Sequence, residues 1–168
     1  SSDLKQKAWL KYIPFVFLLI ILKMVTPLKM QAEMAKMPYP SAYKNYFSVA
    51  EKVNGKNFRG SVVCCRKPDL FAFYAPNVYA TNYKYTQNTY ELIVDLVKKN
   101  VDYVVLEQLG FSSTARYLYP AIVDHAELFS VVYQRRNPDT FLLEFDKKKA
   151  TEKIKENHLK RDIIKPIR

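Results

Sequence analysis

The sequence predicts an α/β fold: a three-layer α/β/α domain with a mainly parallel sheet and a C-terminal antiparallel hairpin, preceded by a transmembrane helix. Three observations lead there. The apolar runs "SVVCC" (61–65) and "VDYVVLEQL" (101–109) lack the polar alternation of a half-exposed strand, as expected of strands buried on both faces. Segments with apolar residues at helical spacing alternate with those runs, which is the pattern of a parallel sheet linked by helices. Finally, Tyr12 to Leu22 is free of charge, and the wider stretch 8–25 carries only Lys11 and Lys23 near its ends. That length is close to the lower limit for a spanning helix.

In the N-terminal region, Trp9 and Tyr12 suit a membrane interface, the two lysines are placed to snorkel, and Pro14 is tolerated in a first helical turn. A signal peptide, with Lys5, Lys7 and Lys11 as its basic region, and a buried soluble helix are the competing readings. No small-x-small cleavage site follows the apolar run. Lys5, Lys7 and Lys11 on one side balance Lys23, Lys29 and Lys36 on the other, so charge does not set the orientation. The chain opens on Ser instead of Met, which leads us to expect a piece of a longer protein. The organisation expected is a membrane-anchoring helix and linker over 1–37, a soluble α/β domain over 38–146 and a basic tail over 147–168.

Pro38 and Pro40 mark the linker. Tyr43, Tyr46, Phe47 and Ala50 recur at helical spacing, and Asn54-Gly55 ends that helix. After the strand at 61–65, Pro68 fits a first helical turn and Asp69 complements its dipole, so "KPDLFAFYA" reads as a short helix. "NVYATNY" is the next strand. "TYELIVDLVKK" is an amphipathic helix with Leu92, Ile93, Leu96 and Val97 on one stripe and Asn88 or Thr89 as its cap. The strand at 101–109 follows, then a helix from about 115 to 128 interrupted or restarted at Pro120. "FSVVYQRR" and "TFLLEF" are strands joined at Asn137-Pro138-Asp139, a hairpin turn.

Composition narrows the chemistry. Three glycines in 168 residues, with no G-x-G-x-x-G and no Walker sequence, argue against a nucleotide loop. Cys64 and Cys65 are adjacent, a geometry unsuited to a mutual disulfide, and no Cys or His lies at zinc-ligand spacing; packing on either side of a strand is their plain role. His125 and His158 are far apart, and no catalytic residue, metal or cofactor is expected. A net charge of +11 suits an anionic partner. Much of it lies in the tail, where nine Lys/Arg stand against Glu152, Glu156 and Asp162. That tail is either solvated and partly helical or in contact with anionic lipid head groups. Nucleic acid is a poor fit: no recognition motif is present, and an apolar N-terminal segment does not accompany one.

In α/β sheets ligands favour the carboxyl ends of the strands. Arg66 and Lys67 stand at one such end, Glu107 and Gln108 at another. For Arg66 the expected role is a structural partner where strand meets helix, with a carboxylate or loop carbonyls; Lys67 is left open.

The stretches "YFSVAEKVN", "VVCCRKPDLFAFYA", "VDYVVLEQLGF", "ARYLYPAI" and "TFLLEF", in this order, resemble the C-terminal soluble domain of bacterial integral-membrane glycosyltransferases that use polyprenyl-phosphate sugars. These enzymes are related to dolichyl-phosphate-mannose–protein mannosyltransferases and to lipid A aminoarabinose transferases, and the Bacteroidetes members look most similar. The resemblance spans about residues 43–146, and its most specific piece is the Arg-Lys-Pro after a strand. It implies a multi-pass inner-membrane enzyme of the GT-C type. Residues 8–25 would be its last spanning helix, and the soluble domain would be periplasmic. It further implies that the catalytic carboxylate lies in an early membrane loop outside this chain. Asp69, Asp95, Asp102 and Asp124 match no catalytic motif. Under the resemblance Arg66, Lys67 and Arg116 are candidates for holding the lipid phosphate or an acidic acceptor. The partners implied are membrane lipid, a polyprenyl-phosphate sugar, a glycan or lipid acceptor and upstream membrane helices. A second reading is a non-enzymatic anchored module binding a sugar or protein partner, with Tyr43, Tyr46, Tyr79, Tyr83, Tyr85 and Tyr90 as a stacking surface.

Overall fold

The computed structural model describes residues 12–36 and 38–164, with side chains described through residue 156 except at 22, 26 and 34–36. The chain divides into two compact units, Ser1–Tyr39 and Pro40–Arg168.

The first unit contains helix α1, Ile13–Lys36. Its segment Ile13–Glu33 is long and apolar enough to cross a membrane, and none of its most apolar window is buried. Phe15, Phe17 and Ile21 are each more than half exposed. The expected stretch ended at Val25, whereas α1 runs through Pro27 to Lys36. The reason lies in residues 28–36, "LKMQAEMAK", which are strong helix formers without an apolar pattern and carry the helix past the proline. Residues 8–11 lie outside the described residues.

The second unit is a mixed α/β domain. Its elements are α2 (Ser41–Val53), β1 (Val62–Cys64), α3 (Pro68–Tyr74), β2 (Tyr79–Thr81), α4 (Thr89–Lys98), β3 (Tyr103–Leu106), α5 (Tyr119–Asp124), β4 (Phe129–Arg135), β5 (Thr140–Phe145) and α6 (Lys147–Ile164). Asn88 caps α4, its side chain accepting from the Glu91 N–H at 3.2 Å. The five strands form one sheet in the order β2-β1-β3-β5-β4. β1 pairs in parallel with β2 and β3, and β5 pairs antiparallel with β3 and β4. The sheet is therefore evenly mixed instead of mainly parallel. The hairpin does not simply extend an edge: β4 takes the edge, and its turn returns β5 between β4 and β3, antiparallel to both.

Strand alternation sorts the core into two clusters. Val63, Cys65, Val105 and Leu142 meet Tyr46, Val49, Val53 and Phe71 from α2 and α3. Cys64, Val104, Leu143 and Phe145 meet Leu92 and Leu96 of α4, Ala121 of α5 and Ala150 of α6. The two cysteines thus point into different clusters, both free and fully buried, and burial pushes the Cys65 thiol up to about 12. Such thiols are inert.

The helix expected over 115–128 is three pieces. Thr114–Leu118 is a π-helical turn, closed by the Tyr119 N–H donating to the Thr114 carbonyl; α5 follows, then a 3₁₀ turn at Ala126–Leu128. Pro120 supplies no N–H, which breaks a continuous hydrogen-bond series at that point.

The start of α6 is fastened to the domain. Lys147 Nζ lies 2.6 Å from Asp102 Oδ1, and Asp102 Oδ2 accepts from the Val62 N–H at 2.8 Å. Nearly two turns on, Lys153 pairs with Glu127 and lies 3.2 Å from His125 Nδ1. His125 Nε2 is buried with no partner among the described residues. Burial, then the Lys153 charge, hold the His125 pKa below its ordinary 6.5, against the opposing pull of Glu127 and Asp124. The fold favours the neutral ring, so the unfolded chain binds the proton more readily. His125 therefore costs no stability above about pH 6.5 and progressively destabilises the domain as pH falls from there towards its depressed native value. Thermal unfolding should show His125→Gln flattening the loss of stability between about pH 7 and about pH 5. An unchanged pH profile would exclude His125 as its source.

Candidate functional site

The site lies where β1 and β3 end. Cys65 extends the β1–β2 pairing through its N–H to the Thr81 carbonyl at 2.8 Å. The chain then turns into α3, with Lys67 as the residue before the helix and Pro68 inside its first turn. The Lys67 carbonyl accepts from the Tyr46 hydroxyl at 3.0 Å and from the Phe71 N–H at 2.9 Å, so α2 and α3 both fix this turn.

On the β3 side the fixing group is Glu107, which is only 3% exposed. Its carboxylate accepts from the Leu109 N–H and from the Thr114 hydroxyl. Thr114 in turn lies 3.2 Å from the Tyr83 hydroxyl, and burial raises the Tyr83 pKa. Gly110 has a φ of +85°, a conformation open to glycine and strained for other residues; a Cβ there would meet nothing within 4 Å, so the constraint is the backbone alone. This turn sends Phe111 and Ser113 back towards Arg66.

Arg66 Nε donates to Ser113 Oγ at 2.7 Å. Its guanidinium carbon lies 4.9 Å from the Phe111 ring centre and 5.3 Å from that of Tyr85. Lys67 Nζ lies 4.7 Å from the same Phe111 ring. Tyr85 stacks on Tyr117 at 5.7 Å, and the Arg116 guanidinium sits over Tyr117 at 5.6 Å. The Gln87 amide oxygen, turned to face it, accepts from Arg116 Nε at 3.3 Å and Nη2 at 3.0 Å. Three aromatic rings thus link all three sequence-predicted cations into one network. Arg66 and Lys67 are half-buried and Arg116 is exposed.

None of these cations has a carboxylate partner among the described residues. The ion pairs found there are Lys84–Glu91, Lys99–Asp95, Lys147–Asp102 and Lys153–Glu127. The carboxylate or carbonyls expected for Arg66 are replaced by a serine hydroxyl and two ring faces. Those contacts use Nε and the guanidinium plane. They leave its Nη groups with no hydrogen bond to the described residues.

No family model, curated protein or solved structure matches this chain. The site is therefore read from its own geometry.

Among the described residues no group of His, Cys, Asp and Glu is arranged to hold a metal ion. Asp69, Asp95, Asp102 and Asp124 are divided by their surroundings. Asp102 and Asp95 are engaged in ion pairs, and Asp69 lies in the first turn of α3. Asp124 ends α5, on the exposed side. The tyrosines expected as one stacking surface do not form one: Tyr46 and Tyr83 are buried, whereas Tyr79 is 70% exposed at the β2 edge. Of that set, Tyr85 belongs to the cation network, with Tyr83 edge-on to its ring at 5.5 Å. Phe111, Ser113 and Tyr117 were not singled out from sequence. The adjacency Arg116-Tyr117 and the "GFSS" turn after a buried strand are the signals that point to them.

A cation set on aromatic faces, two of its members half-buried, attracts an anion and offers apolar ring surface beside it. Planar guanidinium groups suit the paired oxygens of phosphate or carboxylate.

Proposed function

We propose that the chain is the membrane-anchored C-terminal part of a glycosyltransferase that moves a sugar from a polyprenyl-phosphate donor to an extracytoplasmic acceptor. The observation that carries this reading is the network of three cations, none with a carboxylate partner among the described residues, on aromatic rings at the strand ends of a domain that follows a helix of spanning length. A polyprenyl phosphate presents an anionic head beside an apolar chain, and the network offers the complementary pair of surfaces. In this reading α1 is the last spanning helix, and the α/β domain lies on the periplasmic side of the inner membrane. The two apolar clusters are the interlayer cores of a three-layer sandwich. The acceptor hydroxyl attacks the anomeric carbon while the polyprenyl phosphate leaves. A carboxylate of the upstream membrane portion takes the proton, and the cations steady the phosphate.

The reading makes a direct prediction. Purified residues 1–168 transfer no sugar from a polyprenyl-phosphate donor, because the acid–base carboxylate is supplied by upstream helices. The full-length parent, expressed in membranes with a labelled donor, transfers it. Sugar transfer by residues 1–168 alone contradicts the division of labour; a parent with no transfer contradicts the function. The alternative, a non-enzymatic anchored module, predicts a parent gene without further apolar spans upstream.

A further inference from the structure

The buried carboxylate of Glu107 has a second face. Beside the cation network, a pocket of about 320 Å³ opens at the end of β3, and Glu107, Gln108, Thr114, Tyr119, Asp139 and Phe141 contribute to its wall. That volume is at the lower end of small-ligand sites, which run from about 300 to 1,000 Å³. We propose that this pocket binds a neutral cyclic polyol, the pyranose ring of a sugar, separately from the anion held by the cations.

The chemistry of the wall selects the ligand class. The two oxygens of a carboxylate offer about four acceptor positions, and Glu107 uses two, for the Leu109 N–H and the Thr114 hydroxyl. The remaining acceptor capacity, on a side chain 3% exposed, rewards a ligand that donates hydrogen bonds. Asp139 adds acceptors at the rim, where its Oδ1 receives only a long 3.4 Å bond from Gln134 Nε2, and Gln108 adds an exposed amide. Two carboxylates repel an anion. A purely apolar ligand would leave the unused acceptor positions of the Glu107 oxygens without a donor. A cationic ligand would be opposed by the charge of Arg66, which does not line the pocket but bonds Ser113, the sequence neighbour of the wall residue Thr114. A hydroxyl-rich neutral ring fits all three conditions. It also has an apolar C–H face for Phe141 and for Tyr119, which is 54% exposed although it stands beside a pocket.

The backbone supports the same assignment. The pocket wall includes Thr114, the first residue of the π-helical turn Thr114–Leu118. Such turns are rare and gather at functional sites. This one places Thr114 against Glu107 and Arg116 against Tyr117 within a single turn, so the polyol pocket and the cation network share one element.

The test uses the whole chain in lauryldimethylamine oxide, a detergent without a sugar head group, and saturation-transfer NMR. Methyl glucopyranoside and methyl galactopyranoside are the probes, with choline chloride as the cationic comparison. Saturation transfer to at least one glycoside is expected, in preference to choline. Tyr119→Ala should weaken it about ten-fold. Gln108→Ala, at an exposed position, should weaken it with the far-UV circular dichroism unchanged. Tyr79→Ala, at the opposite sheet edge, should leave it as it was. No transfer to either glycoside, a preference for choline, or binding indifferent to both Tyr119→Ala and Gln108→Ala would overturn the proposal. No donor lipid and no transfer reaction enters the readout, so this inference stands or falls apart from the proposed transferase function.

Discussion

Phe71→Ala lowers the unfolding free energy of the α/β domain by about 3–5 kcal/mol, the range for truncating a large buried aromatic side chain. Phe71 is fully buried and meets the Tyr46 ring edge-on at 5.5 Å, in the cluster shared by α2, α3 and the sheet. Phe73, two residues on in the same short helix, is 79% exposed. Phe73→Ala should therefore change stability by no more than about 0.5 kcal/mol. Urea unfolding of the two variants followed by circular dichroism compares them directly. Equal losses would mean that α3 turns a different face to the sheet, and the turn that positions Arg66 and Lys67 would be wrong with it.

Arg66→Ala should separate two roles of one side chain. Removing the Ser113 hydrogen bond and two ring contacts costs the domain about 1–2 kcal/mol, with a single cooperative transition retained. If the chain is part of the proposed transferase, the same change in the full-length protein should reduce sugar transfer about 30- to 150-fold, the effect of losing a charge-assisted contact of about 2–3 kcal/mol. Arg66→Lys keeps the charge but lacks the planar fork, so it should recover only part of the activity. Transfer that falls no further than the loss of folded protein explains would leave Arg66 a structural residue.

How far these features were legible in the sequence varies with their range. The turn from β1 into α3 was readable from residues 62–75, because an uninterrupted apolar run and a proline suited to a first helical turn are local signals. Likewise, the cap of α4 was narrowed locally to Asn88 or Thr89, and the fold uses Asn88. Sheet order was not readable in the same way. An apolar run says that a strand is buried, not which strand it pairs with, and β5 could as well have been an edge strand as lie between β3 and β4. The same limit applies to the site. The Arg66 cation was visible at the strand end, but its partners Tyr85, Phe111 and Ser113 are assembled from separate loops by the fold. Glu107 stood in the sequence as one acid at a strand end. Its burial, its two hydrogen-bond donors and the pocket beside it emerge only when Gly110 turns the chain back.

The central claim is that the strand-end cations hold the phosphate of a polyprenyl lipid. The most direct measurement is the affinity of the whole chain, in phosphatidylcholine nanodiscs, for farnesyl phosphate, compared with farnesol and inorganic phosphate. The account predicts that farnesyl phosphate binds better than either, that added salt weakens it, and that the double variant Arg66→Ala/Lys67→Ala weakens it at least about ten-fold with the fold intact. Equal binding by the double variant, or farnesol binding as well as its phosphate, would contradict it.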